Sequence, residues 1–345
     1  MSQSLNPLRV VLVGCGGMAG CWLDAARQAG GVEWVGFVDL REEAARRRAA
    51  ESGARNPVVG TKLETVLRAT RPDAVFDCTV PEAHYEVTLT ALAHGCHVLG
   101  EKPMADSMER ARAMVAAAQK AGRIYAVIQN RRYGAPIRRI RRLIEAGGLG
   151  QLTTVHCDFF LGPHFGGFRE QMRHVLLVDM AIHLFDMARY LSGSDATRVW
   201  CKSWNPAGSW YAHGASAVAV FEMRNGLVFT FRGSWCARGL STGWNGEWRF
   251  LGAEGSAWWD GGDTFRAERL IEQVHGGDKM GPLTWEARAD DKDGGHTGLI
   301  REFLECVRTG QVPETICSDN IKSLAMVFGA VESAETGRPV EIKPE

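Results

Sequence analysis

The feature that most constrains the fold is a glycine-rich turn near the N-terminus, between an apolar strand and a helix. Residues 8–13 read LRVVLV, and GCGGMA at 14–19 leads into a helical pattern at 17–29. Gly14 permits a tight turn and Gly16 lets the backbone approach a pyrophosphate, as in the G-x-G-x-x-G/A pattern. The helix N-terminus offers free N–H groups to phosphates. The turn therefore predicts dinucleotide binding rather than a purely structural role.

The predicted cofactor is NAD, because an acidic residue ends the second strand at the required distance. Asp39 lies twenty residues after Ala19, where it would accept hydrogen bonds from the adenosine ribose hydroxyls and repel a 2′-phosphate. Gly17 and Met18, within the turn, are further expected cofactor contacts. Arg41 is a candidate partner for a 2′-phosphate, which keeps NADP open, or else an exposed residue of the next helix.

Strand and helix patterns alternate through the first 130 residues. The strand-like runs are 8–13, 33–38, 74–78, 97–100 and 124–128, with helical patterns at 17–29, 41–52, 62–69, 82–93 and 107–120. Such alternation predicts βαβ units, a parallel sheet and helices on both faces. Residues 1–130 are therefore expected to form an α/β domain with a doubly wound parallel sheet of the Rossmann type.

The pattern changes near residue 130, which we take as a domain boundary. Strand-like runs rich in Val, Phe, Thr and Trp follow at 152–160, 196–204, 215–223, 227–235, 246–251 and 255–259, and helical patterns at 134–145, 177–191, 296–309 and 318–336. Asn225-Gly226 between two such runs is a strong hairpin signal. Residues 131–345 are predicted to form an α+β domain with an open, mostly antiparallel sheet, whose C-terminal helix is free to pack back on the first domain.

A candidate catalytic lysine follows the strand at 97–100. Glu101-Lys102-Pro103 lies at the sheet edge where ligands bind in open α/β folds. Pro103 biases Lys102 towards an extended conformation, from which its side chain is able to enter the cofactor crevice. A lysine there can exchange a proton with a substrate hydroxyl. The residues alone support equally well a solvent-facing lysine paired with Glu101.

A second candidate site lies in the helical pattern at 177–191. Asp179, His183 and Asp186 are spaced i, i+4 and i+7, which places them on one helical face among mainly apolar residues. An imidazole held between carboxylates has a fixed tautomer and suits acceptance of a proton from a hydroxyl group. The alternative is a hydrogen-bonded core histidine.

Composition excludes several classes of protein. Forty basic and 40 acidic residues give zero net charge, so the chain has no broad basic field for nucleic acid. No apolar run is long enough to span a membrane, and the N-terminus lacks a signal-peptide pattern. Nine scattered cysteines without CxxC pairs favour reduced thiols and a cytoplasmic location. His156 and Asp158 alternate on a strand without an apparent third ligand, so no metal site is predicted.

These motifs resemble those of the Gfo/Idh/MocA oxidoreductases, which act mostly on sugars and cyclitols. The resemblance rests on VLVGCGGMA (11–19), FVDLR (37–41), CTVPEAHYE (78–86), ALAHGCHVLGEKPMA (91–105), VIQNRRYG (127–134) and DMAIHLFDMARYLSG (179–193). The motifs occur in the family's order, and EKP combined with D-x-x-x-H is fairly specific to it. The resemblance implies a Rossmann domain followed by an α+β domain whose open sheet supports the substrate pocket and subunit contacts.

The resemblance also implies a catalytic set that contacts the substrate. Its members are Lys102, Asp179 and His183. The segment before the aspartate departs from the family pattern, because family members often carry glycines there and residues 173–178 read RHVLLV. Arg173 and His174 are candidate substrate contacts or exposed residues, and the departure leaves the particular substrate open.

Further binding residues are implied by the same resemblance. Beyond the glycine turn, the expected cofactor contacts are Thr79, Pro81, His84, Glu101, Lys102 and Gln129. Asn130 and Arg131 match the family's polar rim near the substrate. From the residues themselves, the glycine-rich loop 162–172 is a candidate lid, in which His164 either contacts the substrate or faces solvent. Trp235 and Trp244 are candidate pocket residues, since aromatic faces stack on sugars.

The expected function is that of an NAD(P)-dependent oxidoreductase transferring a hydride to or from a secondary alcohol or carbonyl of a sugar, sugar derivative or cyclitol. Lys102 and His183 would share proton transfer, and Asp179 would orient them. Two alternatives stay open: a redox-neutral NAD-dependent glycosidase and a non-catalytic dinucleotide-binding sensor. The expected partners are the carbohydrate or cyclitol substrate and further copies of the chain, in a homodimer or homotetramer.

Overall fold

Two units make up the part of the chain that the structure, a computed structural model, describes. The described residues are 6–284 and 294–344; the first unit takes 6–133 and 294–321, and the second takes 134–284 and 322–344. The predicted second domain, 131–345, therefore includes a stretch, 294–321, that lies in the first unit. This stretch contains the first of the two C-terminal helices.

The first unit is built on a six-stranded parallel sheet. Its strands are β1 (Leu8–Val13), β2 (Val32–Val38), β3 (Val58–Gly60), β4 (Ala74–Asp77), β5 (His97–Gly100) and β6 (Tyr125–Val127). The order β3-β2-β1-β4-β5-β6 is that of the doubly wound Rossmann fold, with its switch point between β1 and β4. Ligands bind in such sheets beyond the carboxyl ends of the strands at that point. The α/β prediction is confirmed.

The second unit carries a mixed, mostly antiparallel sheet. Its strands are β7 (Leu152–Phe160), β8 (Ala196–Trp204), β9 (Ser216–Met223), β10 (Val228–Ser234), β11 (Glu247–Gly252), β12 (Gly255–Trp259), β13 (Phe265–Glu272), β14 (Lys279–Leu283) and β15 (Val340–Glu341). The order is β14-β13-β12-β11-β7-β10-β9-β8-β15, and of these pairs β7 and β10 alone run parallel. The predicted open, mostly antiparallel sheet is confirmed, although β13, β14 and β15 were not anticipated.

Helices cover both sides of the first sheet and one face of the second. They are α1 (Gly17–Ala29), α2 (Glu42–Ser52), α3 (Leu63–Thr70), α4 (Pro81–Ala93), α5 (Met108–Ala121), α6 (Ala135–Glu145), α7 (Ile182–Ser192), α8 (Gly295–Thr309) and α9 (Cys317–Thr336). Within the described residues, none has the length and apolar character that a membrane span requires.

Aromatic contacts fix α1 and α8 on the first sheet. The ring of Phe76 in β4 lies 5.3 Å from that of Trp22 in α1 and 5.9 Å from that of Phe303 in α8, and all three side chains are fully buried. Burial of large apolar side chains is the main favourable term in packing of this kind. A helix from the C-terminal part of the chain thus completes the core beside the cofactor-binding half.

The second sheet has one buried and one open face. Val199 and Cys201 of β8 point into the core, while Trp200 and Trp204 between and after them are 41% and 43% exposed. On the buried side, Phe185 of α7 packs edge-on against aromatic rings of β9 and β10. This alternation is what an antiparallel sheet with a single covered face requires.

Candidate active site

The carboxyl ends of β1, β2 and β4 enclose a cavity of about 330 Å³ within the first unit. Its largely apolar wall is made by Val13, Gly14, Gly16, Val38, Asp39, Leu40, Thr61, Leu63, Cys78, Thr79, Val80, Ala83 and Val87. The cavity lies at the switch point, where a Rossmann sheet binds a dinucleotide. Its size and apolar lining suit an adenosine moiety.

Two glycines of the turn serve the cavity in different ways. Gly14 has a φ of +82°, and a Cβ there would lie 2.6 Å from the carbonyl carbon and oxygen of Cys78. The turn after β1 therefore packs directly on the backbone after β4. A Cβ on Gly16 would meet no protein atom within 4 Å, so the protein itself does not require a glycine at that position. The space that a side chain would fill is open, as the close approach of a phosphate group to this turn would require.

Asp39 stands at the end of β2 with both carboxylate oxygens fixed by backbone donors. The N–H of Cys15 donates to Oδ2 at 2.8 Å, and the N–H of Arg41 donates to Oδ1 at 2.9 Å. A carboxylate oxygen accepts more than one hydrogen bond, so these contacts orient Asp39 and leave capacity for ribose hydroxyls. The Arg41 side chain is exposed.

A buried charge pair lies beneath the Cys78–Val80 wall of the cavity. Nδ1 of His84 lies 2.9 Å from Oδ2 of Asp77, and the two side chains are 1% and 0% exposed. Thr79 donates to Oδ1 of Asp77 from its hydroxyl at 2.6 Å and from its N–H at 3.0 Å. The pair therefore fixes Thr79, which does line the cavity, whereas His84 supports the wall from behind.

Burial and the contacts within the pair shift the pKa values of Asp77 and His84 in opposite directions. Burial alone would raise the pKa of Asp77, but the charge of His84 and hydrogen bonds from His84 and Thr79 hold it below its ordinary 3.8. Burial alone would lower the pKa of His84, but the charge and hydrogen bond of Asp77 raise it above 6.5. Nε2 of His84 is buried without a partner among the described residues, so Asp77 is the main group that stabilises the charged ring, with smaller contributions from the charges of Glu101 and Glu82.

Glu101 fixes the backbone at the candidate lysine. Its Oε1 accepts a hydrogen bond from Nε1 of Trp22 at 2.9 Å, and its Oε2 accepts one from the backbone N–H of Lys102 at 3.0 Å. The Glu101 side chain is buried, and Lys102 is partly exposed. Glu101, which is also an expected cofactor contact, therefore holds the backbone at Lys102 in place.

The end of β6 carries a polar group that extends to α8. Gln129 is fully buried and accepts a hydrogen bond from Asn320 at 3.4 Å. Nδ2 of Asn130 lies 3.0 Å from Nδ1 of His296; because an amide nitrogen only donates, the imidazole proton lies on Nε2. Burial lowers the pKa of His296, with the charge of Glu101 opposing this in part. Arg131 lies with Asn130 in a 3₁₀ turn, Asn130–Tyr133.

In the second unit, Asp179 lies in a π-helical segment that precedes α7. The predicted helix at 177–191 is in fact two segments, because Leu176–Ala181 is π-helical and α7 begins at Ile182. Short π-helical segments occur frequently at functional sites. Asp179 is nearly buried, and its Oδ2 accepts a hydrogen bond from Nε of Arg169 at 3.0 Å. His183, in the first turn of α7, is 8% exposed.

Asp186, predicted to share a helical face with Asp179 and His183, has a packing role. It is fully buried, and its Oδ1 accepts a hydrogen bond from Oγ of Ser323 in α9 at 2.8 Å. Arg189 lies 4.0 Å from the same oxygen. These contacts tie α7 to α9 within the second unit.

Arg173 and His174, before the π-helical segment, contact protein groups. Arg173 is 72% exposed and pairs with Glu335 at 2.9 Å. His174 has a φ of +50°, an uncommon conformation for a residue with a side chain, and its Nδ1 lies 3.1 Å from Oγ of Ser203. Strained backbone of this kind is often found at functional sites.

The loop 162–172 places the predicted His164 against another aromatic ring. The imidazole stacks on Trp210 with ring centroids 3.8 Å apart, and Nε1 of Trp210 donates to the Pro163 carbonyl at 3.2 Å. Trp235 is buried, and Trp244 is half-exposed. The loop thus brings several aromatic side chains to the same part of the second unit as Asp179.

Two family models match the chain. The first, described as the oxidoreductase family with an NAD-binding Rossmann fold, covers residues 8–129, and the second, the GFO/IDH/MocA C-terminal domain, covers residues 137–258. The chain belongs to the Gfo/Idh/MocA oxidoreductases. As a member of this family, it is an NAD-binding oxidoreductase, and the dinucleotide prediction is confirmed.

Relatives of known name span nearly the whole chain. A 1,5-anhydro-D-fructose reductase of Ensifer adhaerens is 26% identical over 96% of this chain and 98% of that protein. A D-apiose dehydrogenase of Paraburkholderia graminis is 28% identical over 99% and 92%. Among solved structures, an oxidoreductase from Agrobacterium radiobacter in complex with NAD⁺, L-tartaric acid and magnesium superposes with a TM-score of 0.85 at 21% identity, covering 98% and 99% of the two chains. The last comparison supports the fold.

Three residues of this Gfo/Idh/MocA site were not identified from the sequence. Arg48 donates to the Gly16 carbonyl from Nη2 at 2.8 Å and so holds the glycine turn. Asp77 forms the buried pair, and His296 holds Asn130. Arg48 stands in a run of arginines typical of an exposed helix, and His296 begins the predicted helix 296–309 without any motif. The one local signal was Asp77, a carboxylate within an otherwise apolar strand.

Alanine at Gly14 and at Gly16 is expected to separate folding from cofactor binding. Gly14→Ala places a methyl group against Cys78 and strains the backbone, so the free energy of unfolding should fall by more than about 1 kcal/mol. Gly16→Ala meets no protein atom, so stability should change by less than about 0.5 kcal/mol. The Kd for NADH of Gly16→Ala should nevertheless rise about tenfold, equivalent to about 1.4 kcal/mol. Urea unfolding and NADH fluorescence titration measure these effects; unchanged NADH binding by Gly16→Ala would contradict the assignment.

Removing the charge of Asp77 is expected to destabilise the first unit in a pH-dependent way. Asp77→Asn should lower the free energy of unfolding by about 3 kcal/mol, because it leaves a buried imidazolium without its counter-charge. The raised pKa of His84 contributes stability below 6.5 that is lost as pH rises through its folded-state pKa. The lowered pKa of Asp77 contributes stability above 3.8 that is lost as pH falls through its folded-state pKa.

The difference in free energy of unfolding between wild type and Asp77→Asn should therefore be largest between pH 3.8 and pH 6.5, the ordinary pKa values of the two groups. It should become smaller at lower and at higher pH. Urea unfolding over a pH series measures it. Glu86→Gln, on the exposed side of α4, is the matched control and should behave as wild type. A pH-independent or negligible effect of Asp77→Asn would show that the pair is not charged in the folded protein.

Proposed function

We propose that this protein is an NAD-dependent dehydrogenase or reductase acting on a secondary alcohol or carbonyl of a sugar, sugar derivative or cyclitol. The observation that carries the proposal is the oriented Asp39 carboxylate in the cavity at the switch point. The substrate class is supported by the names of two relatives, a 1,5-anhydro-D-fructose reductase and a D-apiose dehydrogenase.

The residues of the first unit fit the dinucleotide. Gly14, Gly16 and Thr79 would hold its phosphates and ribose, and Asp39 the adenosine hydroxyls. When bound, NAD supplies the acceptor or donor of a hydride, which no side chain provides. NAD is preferred to NADP in this proposal because a 2′-phosphate would meet the fixed carboxylate of Asp39, while Arg41 is the candidate that would relieve this repulsion.

We assign proton transfer to Lys102 and His183 and their orientation to Asp179. Glu101 holds the backbone N–H of Lys102, so the lysine starts from a fixed point at the end of β5. His183 is shielded from bulk water, which restricts proton exchange to groups that reach it directly. Asn130, Arg131 and the neutral His296 are proposed to contact the substrate at the end of β6 and the start of α8.

No observation among the described residues favours the two alternative functions. A redox-neutral glycosidase would use the same cofactor site and differ in releasing no NADH. A dinucleotide-binding sensor would bind NAD without needing Lys102 or His183. Activity measurements therefore separate all three.

Lys102→Ala and His183→Ala are each expected to lower kcat at least about a hundredfold, the usual contribution of a positioned acid or base. The measurement is NADH absorbance over a panel of sugars and cyclitols, with both variants tested on any substrate found. Lys120→Ala, at an exposed lysine of α5, is the matched control. The Kd for NADH of His183→Ala should stay within about threefold of wild type. Unaffected turnover in both variants would overturn the assignment, and silence across the panel with NAD still copurifying would favour the glycosidase.

A cytoplasmic location is part of the proposal. All nine cysteines lie in the described part of the chain, where none forms a disulfide, and seven of them are buried. Burial raises the pKa of Cys15 and of Cys201 to about 12, so these groups persist as thiols. Free thiols are typical of reducing compartments. Cell fractionation with an antibody to the chain tests the location directly.

A homodimer or homotetramer is proposed to form through the open face of the second sheet. Trp200 of β8 is paired in register with Val220 of β9, and both are more than a third exposed. Further along the same face, Arg232 and Asp158 form a bidentate ion pair. An exposed apolar region beside compensated charges is typical of a surface that a second copy covers.

A charge at the centre of the apolar region is expected to dissociate the oligomer. Val220→Glu should shift the molar mass in light scattering from that of an oligomer to that of one subunit, because an unpaired carboxylate is costly to bury. Val312→Glu, at a position 73% exposed in the first unit, is the control and should leave the mass unchanged. An oligomer that survives Val220→Glu, or a wild-type monomer, would refute the proposed interface.

A further inference from the structure

The guanidinium of Arg169 is held from three directions beside Asp179. Its Nε donates to Oδ2 of Asp179 at 3.0 Å. Its central carbon lies 5.3 Å from the ring centroid of Phe165 and 4.9 Å from that of Phe168. Cation–π contacts of this kind fix the plane of the group. Within the described residues its two Nη groups have no hydrogen-bond acceptor, so four N–H donors are presented from a fixed position.

An aromatic platform, formed by Phe165, Trp235 and Trp244, adjoins this guanidinium. The ring centroids of Phe165 and Trp244 are 6.4 Å apart, and each side chain is 50% exposed. Trp235 lies 5.9 Å from the former and 5.8 Å from the latter and is itself buried. Its indole N–H is buried and has no acceptor among the described residues. Exposed aromatic surface is unfavourable in water, and a ligand with an apolar face relieves this cost by stacking on it.

The charges of Arg169 and Asp179 favour an uncharged ligand at this subsite. Asp179 offsets the positive charge of Arg169, so this ion pair by itself attracts an anion only weakly. A carboxylate or phosphate brought to the Nη groups would also approach the Asp179 carboxylate, which repels it. Hydroxyl groups accept hydrogen bonds from a guanidinium without this penalty. The site therefore matches an uncharged ring that has a C–H face on one side and hydroxyls at its edge.

We propose that Arg169 and the aromatic platform form a binding subsite for an uncharged saccharide ring, with the ring stacked on Phe165 and Trp244 and its hydroxyls bonded to the Nη groups of Arg169. This subsite specifies the substrate class of the proposed function. It rests on that proposal in one respect, namely that Asp179 faces the substrate. It narrows the substrate class to neutral sugars and their glycosides, against uronic acids and sugar phosphates. Arg169 is thereby a specificity-determining residue.

The first test measures binding without turnover. Isothermal titration with methyl β-D-glucoside, D-glucose and D-glucuronate, in the presence of NADH, compares neutral and acidic probes. A neutral probe should bind at least about tenfold more tightly than D-glucuronate, equivalent to about 1.4 kcal/mol. Arg169→Met, which keeps an unbranched apolar stem but removes every N–H donor, and Trp244→Ala should each weaken binding of the neutral probe about tenfold. Leu240→Ala, at a fully exposed position of the neighbouring loop, should bind as wild type.

Two conservative variants distinguish a loss of sugar binding from a loss of folding. Trp244→Phe keeps an aromatic ring, so it should retain most of the affinity while losing the change in tryptophan fluorescence that the sugar produces. Arg169→Lys should restore part of the affinity lost in Arg169→Met, because an ammonium still donates to hydroxyls but lacks the planar fork. On any substrate that is turned over, Trp244→Ala should raise KM with kcat within about threefold, since stacking holds ground state and transition state alike.

The outcomes separate the subsite from the proposed function. Unchanged affinity in both Arg169→Met and Trp244→Ala, or tighter binding of D-glucuronate, would overturn the subsite even if sugars are oxidised. Binding of neutral sugars that depends on Arg169 without any oxidation would support the subsite and refute the proposed function. A changed molar mass of Trp244→Ala with unchanged sugar affinity would show that another copy of the chain covers the platform, which also overturns the subsite.

Discussion

The close approach of two backbone segments at the switch point is the constraint on which the cofactor site depends. The turn after β1 touches the peptide between Cys78 and Thr79 so closely that Gly14 admits no side chain. The segment after β4 is in turn held by the Asp77–His84 pair, which binds Thr79 through both its hydroxyl and its N–H. Burying an ion pair costs desolvation energy. Here the Asp77–His84 pair fixes Thr79, which lines the cofactor cavity. Asp39 is fixed from the same turn through the N–H of Cys15.

The second unit uses a different physical device, a sheet with one face buried and one open. Its aromatic core around Phe185 anchors α7, and a rigid α7 in turn fixes the π-helical segment that carries Asp179. The extra residue per turn in such a segment changes which side chains share a face. Asp179 in this segment binds Arg169, whereas Asp186 in α7 binds Ser323 of α9.

Much of the fold and part of the site were predictable because their signals are local. The glycine turn, Asp39 and the Glu101-Lys102-Pro103 segment each follow a strand within a few residues, so their spacing defines their place. Contacts between distant residues carry no such signal: Arg48 reaches Gly16 across 32 positions, and Asn130 reaches His296 across 166. The strands β13 and β14 were missed because they are largely exposed, so the apolar alternation that identifies a strand is weak there.

The contacts of helix α1 affect how the substrate specificity of this enzyme can change during evolution. Its first residue follows the cofactor turn, and its Trp22 fixes Glu101, which in turn fixes the backbone of Lys102. The glycine turn, which is proposed to hold the cofactor phosphates, is thereby linked to Lys102 by contacts within the first unit. The second unit, with its loop 162–172 and Arg169, is a separate structural module. With the substrate pocket proposed to lie in the second unit, that unit can change in sequence during evolution without disturbing the contacts that join the glycine turn to Lys102.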